Sequence, residues 1–267
     1  VIGYAAIAAA SALGLIATGW ADISTESWAG PSLAHPFGTT RNGQDVLERA
    51  LHSTQTAFSI GLTVAIASTA LGAALGGIAG YASGSLADEA VLWLKGVIDS
   101  IPFYLLVAAI AWALKMENAP EWLARYSMHM AMIVTFWTTT GRLVRGEVVR
   151  LRELEYVEAA RSIGRRGAGI LFVHLMPNTM HILLVQATIV FVAAIKAEVI
   201  LSFLGLGAGQ GISWGRMIAE SPEEVMRGHF GNFAGASLMM FGLVLAVSLL
   251  ADALADALDP RQIDARR

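Results

Sequence analysis

Six apolar stretches recur along the chain: residues 1–20, Thr56–Ala82, Ala90–Leu114, Tyr126–Thr140, Ile182–Leu204 and Phe233–Leu250. A helix needs roughly 20 such residues to cross a ~30 Å hydrocarbon core. Five of the six meet that length, and Tyr126–Thr140 meets it if it begins near Trp122 or continues to Val144. No water is available in hydrocarbon to satisfy backbone amides, so each stretch must pair its own, as helices do. No run of alternating ~10-residue segments suggests a barrel. The expectation is an all-α polytopic membrane protein of six transmembrane helices. Composition agrees: 55% of the 267 residues are hydrophobic and 15% charged, too little polar surface for a soluble domain. The 27 glycines suit close-packed membrane helices. The opening stretch could be a signal peptide's apolar region, but it has no basic residues ahead of it and is read as a span. Because the chain opens on Val1, a native N-terminus is expected upstream.

Lys and Arg set the orientation. With the first helix running outward, one inner loop holds Arg142, Arg145, Arg150, Arg152, Arg161, Arg165 and Arg166. The tail adds Arg261, Arg266 and Arg267. The outer segments dilute their six cations with acids. Both termini are therefore expected in the cytoplasm. The organisation follows: a first transmembrane helix over 1–20, an extracytoplasmic segment over 21–55 and a five-helix core over 56–258. The core carries a cytoplasmic loop at about 150–178 and an outer loop at about 205–232. Residues 259–267 form a cytoplasmic tail.

The cytoplasmic loop contains RELEYVEAARSIGRR, a charged, helix-prone stretch between apolar runs. Glu158 favours the positive end of a helix dipole. Ala159, Ala160, Ile163 and Gly164 place small or apolar groups at helical spacing, so another surface can approach the backbone. Arg161, Arg165 and Arg166 surround that face with charge able to orient a partner. Pro177 is expected to end the local structure. A solvated loop helix and a docking helix both fit this pattern.

The order of residues carries more. Glu158-Ala159-Ala160, then Gly164, then His174, Met176-Pro177 and Asn178 resemble the EAA loop of ABC importer permeases. The ending HLMPN is similar to the H-x-x-P-N of the dipeptide/oligopeptide/nickel branch. Upstream, HPFGTTRNGQDVLER (His35–Arg49) resembles the branch's H-P-x-G-T-D-x-x-G-R-D-V-x-x-R, with Thr40 and Gln44 departing from it. DSIPFYLL matches loosely through Asp99 and Pro102. EVILSFLGLGAGQGISWGRMI and LADALADALDPR resemble two further segments. The resemblance covers His35 to Arg261 and points to the C-type permease of the branch.

That resemblance implies a type I importer permease fold with a cytoplasmic coupling helix, in a bacterial inner membrane. It implies a second homologous permease, two cytoplasmic ATPase subunits and an extracytoplasmic solute-binding protein as partners. ATP and Mg would be bound by the ATPases, leaving this chain without a cofactor and without catalysis. Glu158, Ala159, Ala160, Arg161, Ile163 and Gly164 would couple to an ATPase, with His174, Pro177 and Asn178 closing the loop. Peptides are the first substrate class, and nickel or a metal–chelator complex the second. A secondary transporter or a membrane scaffold would be the readings from other classes.

Other residues weigh less. Lys196 and Glu198 lie inside the fifth span, where a charge costs roughly 2.5–3.5 kcal/mol, and are candidates for the substrate path. Gly72, Gly76 and Gly80 form a ridge suited to helix packing or to a subunit interface. His174 and His181 share a helix face but lack a third ligand, so no metal site is expected. No lysine follows a glycine, which excludes a phosphate-binding G-x-x-x-x-G-K loop. There are no cysteines, and a net charge of −3 argues against nucleic acid as a partner.

Overall fold

A computed structural model describes residues 1–23, 27–116, 119–165, 167–207 and 211–258. The expected tail with Arg261, Arg266 and Arg267 lies outside the described residues, as does Arg166. Among the described residues the regular structure is all helical, apart from one isolated bridge between Thr39 and Asp45.

The helices are α1 (Ile2–Ala12), α2 (Val46–Tyr81), α3 (Leu86–Asp99), α4 (Phe103–Ala113), α5 (Glu121–Arg125), α6 (Ser127–Leu151), α7 (Glu155–Ser162) and α8 (Ala168–Ile170). A π-helical turn (Leu171–Leu175) and a 3-10 turn (Met176–Thr179) follow, then α9 (Met180–Phe203), α10 (Trp214–Met226) and α11 (Gly231–Leu258). Among the described residues three helical runs, against the six expected, are long and apolar enough to cross a membrane: Val46–Tyr81, Ala168–Phe203 and Gly231–Leu258. The α3–α4 pair qualifies jointly but bends by 97°.

The structure refines the sequence expectations in detail. The first apolar stretch forms only 11 helical residues in this chain, about 16 Å of rise, before positive-φ backbone at Gly14 and Ala17. The stretch Ala90–Leu114 is not one straight helix, because Pro102 supplies no N–H and breaks it. The fourth apolar stretch is helical past Val144, to Leu151, but is not among the helices long and apolar enough to cross a membrane. Pro177 does not end the local structure: the backbone rewinds from π-helical to 3-10 around it and continues into α9. A π turn shifts the hydrogen-bond register, which absorbs a missing donor without stopping the helix.

The chain folds as two compact units. One comprises Val1–Leu62, Lys115–Met128 and Val192–Leu250. Its core holds Ile60, Met128, Ile195, Leu201, Trp214, Met217 and Leu243, all nearly inaccessible. Here α10 packs on α2, with Trp214 Nε1 donating to the Ala50 carbonyl at 2.9 Å.

The other unit comprises Thr63–Leu114, His129–Phe191 and, of the described residues, 251–258. The glycine ridge of α2 is spent within it. A Cβ on Gly72 would stand 2.7 Å from the Trp137 carbonyl, and one on Gly76 would collide with the Gly141 carbonyl. The backbones of α2 and α6 thus touch, as small residues permit in membrane helices. Beyond the ridge, Val144, Val148 and Leu151 of α6 form a cluster with Val157, Ile170, Leu171 and Leu175.

Candidate functional site

That cluster is the floor on which α7 rests. No side chain caps the N-terminus of α7, but Glu155 and Glu158 lie in its first turn and Arg161 in its last, the arrangement the helix dipole favours. Arg161 donates to Glu158 at 2.7 Å. The C-terminus is closed by Gly164 at φ +88. The Gly164 amide bonds the Arg161 carbonyl at 2.9 Å and the Arg165 amide reaches the Ala160 carbonyl at 3.1 Å. This is the Schellman arrangement, in which glycine adopts the left-handed backbone without steric cost. Among the described residues nothing lies within 4 Å of a Cβ built there, so conformation calls for glycine.

The helix has two faces. Val157 and Ala160 are buried, while Glu158, Ala159, Arg161 and Gly164 are exposed. Ile163 is 80% exposed, an unusual position for so apolar a side chain. Of the six residues singled out from the sequence, five therefore form one open surface. Ala160 instead anchors the helix from below, because residues 157 and 160 share the face opposite Ala159.

The loop-end residues lie in the rewound segment. Asn178 Nδ2 donates to the His174 carbonyl at 2.6 Å, and the Asn178 amide is also within hydrogen-bonding reach of Tyr156 on α7. Burial pushes the Tyr156 phenol above its ordinary pKa, and Arg150 pulls it back. Lys196 and Glu198 are not brought together. Lys196 is exposed, whereas Glu198 is buried and accepts from Ser202 Oγ at 2.5 Å. Two residues apart on a helix means nearly opposite faces.

Sequence reading missed how the α2–α3 turn is held. Arg145 of α6 grips Asp88 with two bonds of 2.6 and 2.7 Å, and Asp88 also accepts from the Gly84 amide at 2.9 Å. Arg152 donates to the Gly80 and Tyr81 carbonyls at 3.4 and 3.2 Å. Both arginines counted only as basic charge in the sequence. A usable signal was Asp88 three residues after Ser85, which is the N-cap of α3.

In the other unit, the segment His35–Arg49 meets α10. His35 Nδ1 and Asp45 lie 2.6 Å apart, Arg41 pairs with Glu223 at 3.1 Å and Arg49 with Glu220 at 2.5 Å. The Arg41 amide reaches Glu224 at 3.3 Å. Burial raises the Glu224 pKa above the ordinary glutamate value, an effect partly offset by the bonds from Arg41 and Asn232.

Residues 72–264 match the family described as binding-protein-dependent transport system inner membrane component. The chain belongs to that family. It is 33% identical over 238 residues to the dipeptide transport system permease protein DppC of Bacillus subtilis, covering 89% of this chain and 72% of that protein. It is 34% identical over 239 residues to the oligopeptide transport system permease protein OppC of Mycobacterium tuberculosis, covering 89% and 79%. The B. subtilis OppC is 32% identical over 235 residues, covering 86% and 73%.

Proposed function

We propose that this chain is a permease subunit of an ATP-driven, binding-protein-dependent importer of di- and oligopeptides. The observation that carries the reading is the open face of α7. A short helix, in a chain of this family, ends in a Schellman glycine and leaves Ile163 80% exposed beside Glu158, Ala159 and Arg161. An apolar side chain so presented, ringed by charge, suits insertion into a cleft of a partner protein. The partner is a cytoplasmic ATPase subunit, which binds ATP and Mg; α7 is the coupling helix. Basic residues around α7 argue for its cytoplasmic side, and hence for both termini there.

A second, homologous permease completes the membrane part. Only 11% of the most apolar window of α11 is buried, and most of α3 is exposed, which leaves wide faces for lipid and for that subunit. The segment His35–Arg49 with α10 forms the outer surface for the solute-binding protein. Rigid-body movement of α7, driven by closure of the ATPases, is converted into alternating access. The peptide assignment rests on the resemblance to dipeptide and oligopeptide permeases.

The test is a reconstituted complex. Glu158→Trp or Gly164→Trp abolishes vanadate-sensitive peptide uptake while membrane insertion stays intact. Uptake at the wild-type rate in both variants overturns the coupling assignment.

A further inference from the structure

The break between α3 and α4 borders a cavity of about 490 Å³ whose wall includes Asp99, Ser100, Pro102, Phe103, Thr135 and Thr139. The volume is in the range of small-ligand pockets, roughly 300–1,000 Å³. It lies midway along the helices on both sides. One wall is the joint of the bent pair; the other is the ninth to thirteenth of the 25 residues of α6.

Irregular backbone at membrane depth is stable only where protein or water, not lipid, surrounds it. Pro102 offers no N–H here, and Ser100 Oγ closes one carbonyl by donating to Val97 at 2.7 Å. A charge at this depth also avoids lipid, yet the Asp99 side chain is 43% exposed and pairs with Lys95 at 2.5 Å. Both facts call for a wet, protein-lined space. The hydroxyls of Thr135 and Thr138 turn back onto their own helix, at 2.8 and 3.4 Å, whereas Thr139 is exposed. Phe103 and Phe136 add an aromatic wall, with ring centres 4.8 Å apart.

We propose that this cavity is a mid-membrane contact site for the main chain of the transported peptide. Asp99 exchanges Lys95 for the ammonium terminus, Thr139 hydrogen-bonds the main chain, and the aromatic wall takes side chains of differing shape. A carboxylate beside an ammonium, a hydroxyl and an apolar wall complement a zwitterion with amide bonds. Such a site reads what all peptides share. It is proposed in addition to Lys196 and Glu198, the substrate-path candidates read from the sequence. The inference rests on the importer reading above.

The chain has no cysteine, so in a complex whose partner subunits have had theirs replaced, one introduced thiol reports one position. In proteoliposomes holding the full complex, a Thr139→Cys variant is expected to react with a water-soluble methanethiosulfonate. Its modification lowers tri-alanine uptake at least about tenfold, and turnover with tri-alanine slows the reaction. A Leu105→Cys variant, on an exposed apolar position of α4, stays unreactive. Asp99→Asn lowers uptake about tenfold while ATP hydrolysis stimulated by the loaded binding protein persists. Full uptake in Asp99→Asn, or a Thr139→Cys thiol that is unreactive or whose modification leaves uptake unchanged, overturns the site and leaves the importer reading standing. A wild-type complex without ATP-driven tri-alanine uptake overturns that reading and the site with it.

Discussion

Two short amphipathic helices, α10 and α7, are held in opposite ways. α10 buries Trp214, Gly215, Met217, Ser221 and Glu224 along 13 residues. Trp214 and the Arg49–Glu220 and Arg41–Glu223 pairs stitch it to its own unit. α7 buries only Val157 and Ala160 along eight residues and turns the rest outward. A helix so stitched serves as architecture. A helix set on two side chains, with an exposed isoleucine at its tip, has surface that none of the described residues covers. The contrast separates a helix fixed within its own unit from one with an open face.

The contrast can be broken most directly at α10. Trp214 is 1% exposed, so Trp214→Ala is expected to cost about 3–5 kcal/mol, seen as a large drop in the melting temperature of the detergent-purified chain. No single truncation on the open face of α7 approaches that. A smaller effect divides α7 itself. Ala160→Leu overpacks the floor and costs about 1–3 kcal/mol, whereas Ala159→Leu on the open face changes stability by less than about 0.5 kcal/mol. Equal losses at the two alanines would erase the two-faced description.

The smallest effect is one of pH. Burial raises the Glu224 pKa, so the folded state binds this proton more tightly than the unfolded chain does. Its share of stability is therefore present below the ordinary glutamate pKa and is lost as pH rises through the raised value. Glu224→Gln removes that dependence. Melting temperatures of the two proteins should converge at low pH, and the wild type should fall relative to the variant as pH rises toward neutrality. Parallel curves would place Glu224 in a more solvated setting.

The sequence exposed some of this well. Charge among apolar runs marked α7, and the Glu158–Gly164 spacing marked its face, because both are local patterns that a linear reading preserves. Gly164 could be singled out, but its reason, a Schellman closure, depends on backbone angles. The split between Ala159 and Ala160 was lost because adjacent alanines look alike until a floor exists on one side. Pro102 and Pro177 are equally visible in the sequence and behave oppositely. Pro102 breaks a span, while Pro177 is absorbed by a π turn, and the surrounding backbone decides between them. Lys196 and Glu198 attracted notice by their charge, yet helix phase sends them to opposite faces. Long-range partners such as Arg145 and Asp88 leave no mark at fixed spacing.

The central claim is that the open face of α7 receives the ATPase. Ile163→Glu tests it most directly, since a residue 80% exposed contributes little to folding and its replacement should spare the melting temperature. The measurement is ATP-driven peptide uptake by the full complex in proteoliposomes. The expected result is a fall of at least about tenfold with the permease folded and inserted. Uptake at the wild-type rate would contradict the assignment of α7 as the element that links ATP hydrolysis to transport.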